Sequence, residues 1–145
     1  MKTEMYLRFP EGLPTTTAQK KGECIRYKIE NGKRVPYIHH FKKEALSALR
    51  TELEYKLKRF KPKKPLDGAI RVMVCVYFNV KEKRLWGKYK TTRPDCDNYV
   101  KEIEDAMTSV GFWNDDAQIV DLRVIKYYAE EACIFIRVED IDETI

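Results

Sequence analysis

A chain of 145 residues, 43% hydrophobic and 35% charged, carries enough apolar material for one core and too much for a disordered polypeptide. Its net charge of +5, with a pI near 8.9, points towards a polyanionic partner without requiring one. Its four cysteines form no CxxC pair, and His39 and His40 lie together far from the acidic clusters, which excludes a zinc template.

The opening MKTEMYLRFPEGLP is too polar for a signal peptide or membrane span, so the expected location is the cytoplasm, with reduced thiols. Residues 5–9 alternate and predict a strand, stopped by PEGLP. The segment 15–35 is polar and basic; CIRYKIE, the Asn31-Gly32 pair and RVPYI predict a small hairpin. From 40 to 60 the period becomes helical, with Phe41, Ala45, Ala48, Leu49, Leu53 and Leu57 as the apolar stripe. KPKKP ends that helix, because proline cannot continue it and restricts the residue before. AIRVMVCVYFNV, residues 69–80, is β-branched and aromatic and predicts a central strand, in which Cys75 is a small core residue. A basic loop or strand extension follows, KEKRLWGKYKTTR.

A second helix is expected from about Asp97, with Val100, Ile103, Met107 and Val110 as its stripe and Gly111 as its stop. Two β-rich segments, 119–128 and 132–138, are separated by AEEA and read as a hairpin; Cys133, in the second, reads as core. There is no internal repeat and no linker. The order β, (ββ), α, β, α, β, β predicts a single α/β (α+β) domain over 1–145, with a mixed sheet and two principal helices.

Between Arg93 and Asp116, RPDCDNYVKEIEDAMTSVGFWNDD concentrates carboxylates inside this basic chain. Asp97, Lys101 and Asp105 fall in one row on the second helix, turned away from its apolar stripe, and Asp95 lies at its start. One reading is structural: an N-terminal aspartate caps free amides, and the row is an ion-pair ladder. That reading leaves the second aspartate of DxD and the Asp115-Asp116 pair unexplained. Carboxylates converging there would repel one another without a cation. Oxygen-only ligation suits Mg²⁺, with Mn²⁺ as a substitute. An EF-hand fits poorly, because Tyr99 and Val100 stand where its loop needs a ligand and a glycine. In a basic protein, a carboxylate-held metal points to phosphodiester hydrolysis. Lys101 would neutralise charge developing on the phosphate. Lys81, Lys83, Arg84, Lys88, Lys90 and Arg93 would hold the DNA backbone, with Trp86 and Tyr89 as stacking or packing surfaces.

DCDNYVKEIEDAM followed by GFWNDDAQIVDLRV resembles the RusA family of Holliday junction resolvases of bacteria, phages and prophages. The family pattern is D-x-D-N-x-x-K, an aspartate four residues on, then G-hydrophobic-W-x-D-D-x-Q-V, and every position is filled here with Ile119 for the valine. The resemblance implies a dimeric fold of the type derived above and Asp95, Asp97 and Asp116 as catalytic, metal-binding carboxylates. Lys101 matches the family's functional lysine. Asp115, Asp105 and Asn98 occupy motif positions of supporting character. It further implies a Mg²⁺-dependent homodimer that nicks two strands of a four-way junction in recombination and repair, associated with the nucleoid of a bacterial or phage-infected cell.

The N-terminal third departs from the family: FPEGLPTTTAQKKGE has the prolines, but threonines and lysines replace the expected asparagine and arginine. This bears on how the junction is held. Two rival readings are a non-catalytic branched-DNA-binding protein on the same scaffold and an interaction module whose acidic helix meets a basic partner. For a dimer contact, Trp86, Phe112 and Trp113 are the candidates; Lys20 and Lys21 would extend the basic surface.

Overall fold

The computed structural model describes residues 1–15, 21–42 and 44–141, and the side chains among these outside 21–23 and 40–42 and 44–47. Lys20 therefore lies outside the described residues. The order of elements is the expected one: β1 (Lys2–Arg8), β2 (Lys21–Glu30), β3 (Lys33–Lys42), α1 (Glu44–Leu57), β4 (Ile70–Asn79), α2 (Cys96–Val110), β5 (Ile119–Ala129) and β6 (Cys133–Asp140). β1, β6, β4 and β5 form one mixed sheet in that order, and β2 and β3 form a separate two-stranded ribbon.

β4 is central because both its neighbours need it. It pairs antiparallel with β6 and parallel with β5. Its buried Ile70, Val72, Val74, Val76 and Phe78 face the helices, and Cys75 is buried on the other face. Parallel neighbours need a crossover, and α2 lies within it. This corrects the expected AEEA hairpin. β5 and β6 both pair with β4 from opposite sides, so the short connection passes the end of β4 instead of joining paired strands. Local alternation cannot reveal a strand inserted from sixty residues earlier.

α1 buries Leu49, Leu53 and Leu57, spaced four apart. Phe41, expected on this helix, belongs to β3, where it stands opposite Gly22, and Ala48 is exposed. The ribbon's ladder runs out to Lys21 opposite Lys42, which keeps the chain extended past the expected boundary. After α1 a 3-10 turn, Lys58–Phe60, ends at Lys61, which is extended ahead of Pro62 as proline requires. α2 buries Tyr99, Val100, Ile103, Ala106 and Met107 against the sheet and packs beside α1. It stops where Gly111 takes the left-handed conformation (φ 96°), its N–H donating to Met107 O and Thr108 O. Phe112 and Trp113 follow directly into the core at 1% exposure each. They are thereby removed from the candidate dimer surface.

The ribbon turns at Asn31-Gly32, both with positive φ (50° and 74°), the backbone that a two-residue hairpin favours. Every side chain from Cys24 to Ile38 is exposed except the half-buried Val35. Among the described residues no helix is long and apolar enough to cross a membrane.

Candidate active site

Asp95 occupies the N-cap position of α2 in an extended conformation, after a cis Arg93–Pro94 peptide. Its carboxylate accepts no hydrogen bond from the first turn of the helix. The capping role expected on the structural reading is therefore not what this side chain does. Asp97, exposed in the first turn, has no ion-pair partner among the described residues. Two carboxylates thus stand uncommitted where the helix dipole favours negative charge. Cys96 between them turns inward, its thiol 3.9 Å from Val124 O on β5. Lys126 donates to Thr92 O and Pro94 O at 2.8 and 2.7 Å, tying the approach to α2 onto β5.

The predicted row continues along α2 as drawn from periodicity, but as a ladder it is incomplete. Lys101 Nζ is 3.8 Å from Asp105 Oδ1 and its side chain is 62% exposed, while Asp97 has no partner among the described residues. Asp105 and Asp97 are separated by about 12 Å of helix axis at 1.5 Å per residue.

The Asp115-Asp116 pair is placed by the turn that follows Trp113. Trp113 donates its indole N–H to Thr108 Oγ1 at 2.7 Å. Asp115 then caps a short 3-10 turn, Asp116–Gln118, accepting from Ala117 N at 2.9 Å. Gln118 closes the same turn: its Oε1 accepts from Asn114 N and Asp115 N, and its Nε2 donates to Leu66 O and Gly68 O. With Asp115 and Gln118 committed to the backbone, Asp116 is free to project towards α2. It lines a recess of about 400 Å³ with Arg50, Asp105, Thr108, Ser109, Asn114 and Asp115.

Two residues of this region escaped the sequence reading. Arg50 of α1 donates to Asp105 O at 2.9 Å and to Glu54 at 2.8 Å, bringing a cation to the acidic recess. Glu104 is half-buried, and burial, then the charge of Asp116, pushes its carboxyl above the usual range; Lys101 opposes this. Glu104 precedes Asp105 and lies beside the predicted row, three residues after Lys101, so helical spacing could have found it. Arg50 reaches the recess from 55 residues earlier, and no spacing announces it. Asn98 is half-buried in the first turn of α2.

The structure thus gathers Asp105, Asp115 and Asp116 at one recess and leaves Asp95 and Asp97 at the start of α2. Among the described residues no group of three His, Cys, Asp or Glu stands close enough to hold a metal ion.

The basic loop is partly structural. Arg84 pairs with Glu82 at 2.7 Å, and Lys90 donates to Thr92 while lying over the Phe78 and Tyr128 rings. Lys81, Lys83, Lys88 and Arg93 are exposed and unpaired among the described residues. Trp86 packs, donating to Val80 O at 2.9 Å, whereas Tyr89 is exposed and stacks on Tyr127 with ring centroids 5.4 Å apart.

The family model described as Endodeoxyribonuclease RusA matches residues 14–139. The "Crossover junction endodeoxyribonuclease rusA" of Lactococcus phage r1t is 33% identical over 91 residues, covering 61% of this chain and 70% of that protein. "Uncharacterized protein YqaN" of Bacillus subtilis (strain 168) is 43% identical over 51 residues, 35% of each chain. The "Crossover junction endodeoxyribonuclease RusA" of Escherichia coli (strain K12) is 59% identical over 34 residues, 23% of this chain and 28% of that protein.

Proposed function

The chain belongs to the RusA family of endodeoxyribonucleases, and from that premise we propose that it resolves four-way DNA junctions by paired nicks, as a metal-dependent homodimer acting in recombination and repair. The observation that carries the site assignment is the pair of uncommitted carboxylates at the start of α2: Asp95 sits at the N-cap yet caps nothing, and Asp97 pairs with nothing described. A fold selected for stability alone would use them.

The donor chemistry fits Mg²⁺, with one qualification from the geometry. Mg²⁺ is usually held by one or two carboxylates together with substrate phosphate oxygens and water, so it needs no three-carboxylate cage in the free protein. In our reading Asp95 and Asp97 would hold the ion together with DNA phosphate oxygens and water, Mn²⁺ would substitute, and Asp116, which stands at the recess, would serve as the third carboxylate once substrate is bound. When bound, the ion supplies Lewis-acid polarisation of the phosphoryl oxygen and a lowered pKa for the attacking water.

The remaining roles belong to the chain. Lys101, exposed and only 3.8 Å from a single carboxylate, can swing to the scissile phosphate and neutralise its growing charge. Asp115 and Gln118 hold the backbone from which Asp116 projects, and Asp105 keeps Lys101 on the correct side of the helix. Lys81, Lys83, Lys88 and Arg93, which flank the approach to α2, would contact backbone phosphates.

The deciding experiment incubates purified protein with a labelled synthetic four-way junction, with EDTA or with Mg²⁺. Symmetric nicked-duplex products only with metal are expected. Retarded but uncut DNA under both conditions would assign the chain to binding alone.

A further inference from the structure

A second basic surface lies away from the carboxylates. A groove of about 720 Å³ runs between β1 and the end of α1, lined by Tyr6, Leu7, Arg8, Tyr55, Lys56, Lys58, Arg59 and Phe60. Four of these are cations and none is acidic. Three of them begin a run, Lys56 to Lys64, in which six of nine residues are basic and none acidic. Lys56 is partly committed, 3.5 Å from Glu52 and over the Phe9 ring. Arg59 lies over Phe60 at 4.6 Å, while Arg8 and Lys58 have no carboxylate partner among the described residues. Tyr55 and Tyr6 remain 78% and 63% exposed at the groove.

We propose that this groove holds an unpaired stretch of DNA strand at the branch point, as a contact separate from the cutting site. The inference rests on the junction-cutting reading for the identity of the polyanion, and on the groove itself for the rest. A surface that only held a duplex arm would need cations but would gain nothing from exposed rings, because paired bases hide their faces in the stack. Exposed tyrosines beside lysine and arginine are the combination that binds single strands: phosphates meet the cations and unstacked bases lie on the rings. Four duplex arms meet at a four-way junction, and opening of the pairs at the branch point would make such bases available. The groove borders β1, at the opposite edge of the sheet from β5, which follows the Asp115-Asp116 turn. Three strand spacings separate the edges, about 14 Å.

The test measures fluorescence anisotropy of labelled (dT)12 and of a 12-base-pair duplex with the full chain in EDTA, so that no cutting intervenes. Tyr55→Ala should weaken (dT)12 binding roughly tenfold, the usual loss of one stacking platform. Lys58→Ala/Arg59→Ala should make the salt dependence of (dT)12 binding shallower by about 1.4 in log–log slope, at about 0.7 per lost phosphate contact. Duplex affinity, circular dichroism and the rate of junction cutting at saturating protein should change less than about twofold. All substituted side chains are exposed, so folding is not at stake. Unchanged (dT)12 affinity and slope would overturn the proposal, as would equal losses on duplex and single strand. Wild-type protein that binds (dT)12 through these residues yet never cuts a junction would keep the groove and remove the nuclease reading. Junction cutting combined with groove variants that bind normally would do the reverse.

Discussion

Burial, and after it the charge of Asp116, raises the Glu104 carboxyl above its ordinary range. A carboxyl whose pKa is raised on folding contributes stability below its unfolded pKa and loses it as pH rises through the folded value. In metal-free buffer, Asp116→Asn should therefore raise the thermal midpoint at pH 7, with the gain shrinking as pH falls through the carboxylate range and Glu104 becomes protonated in both proteins. The same variant should abolish cutting while leaving junction binding largely intact, as should Asp95→Asn and Asp97→Asn, because affinity comes mainly from basic side chains. Near-wild-type cleavage by any of the three would remove that residue from the site. Lys101 is the second case. As a plain ladder member it would be worth a few tenths of a kcal/mol; as a charge stabiliser its loss should slow the cutting step on the order of 10²–10³. Single-turnover cleavage by Lys101→Ala, under saturating protein, separates the two.

The turn between α2 and β5 is the element on which Asp116 depends. Gln118 makes four hydrogen bonds at 2.9–3.1 Å, two to the turn itself and two back to the segment before β4. Gln118→Ala frees two carbonyls and two amides at once. At about 1 kcal/mol net per bond, reduced by partial exposure, the expected loss is about 2 kcal/mol in urea denaturation. Cutting should fall further than stability requires, because Asp116 loses its platform. Full activity at saturating substrate would show that the platform does not position Asp116. The ribbon β2–β3 poses the opposite problem. Two strands alone are marginal in water, yet this pair exposes Ile25 opposite Ile38 at 67% and 60%, with Tyr27 and Ile29 on the same face. Such a face favours association.

Across the whole molecule, the proposal of two cuts meets a chain with one carboxylate region. Two copies about a two-fold axis would offer two sites to a nearly two-fold substrate, and would double a modest +5 into a surface with steep salt dependence. Light scattering across a dilution series should give twice the 17.2 kDa chain mass. With Phe112 and Trp113 inside the core, the ribbon's apolar face is the surface through which this would occur, so Ile25→Glu/Ile38→Glu should shift the protein towards monomer. A monomer that nicks one strand and never completes resolution would sink the dimer and spare the site. A dimer indifferent to the ribbon substitutions would move the contact elsewhere.

Local periodicity was enough to read both helices, the order of the elements and the Asp97–Lys101–Asp105 row, because each depends on neighbours within a few turns of the same element. Gly111 as a stop and Asn31-Gly32 as a turn were legible for the same reason: both are backbone requirements of single positions. The resemblance carried by DCDN and GFWNDD named the family. What the sequence did not determine was which elements sit side by side. β4 between β5 and β6, Phe41 in a strand and Trp113 in the core are outcomes of long-range pairing and burial. Arg50 at the acidic recess, and the groove that joins Tyr6 to Tyr55, bring together residues about fifty positions apart. Charge and aromatic content are visible in one dimension, but whether they form a site depends on which surfaces the core leaves uncovered. That is settled only when the sheet is assembled and the helices have chosen the face they bury.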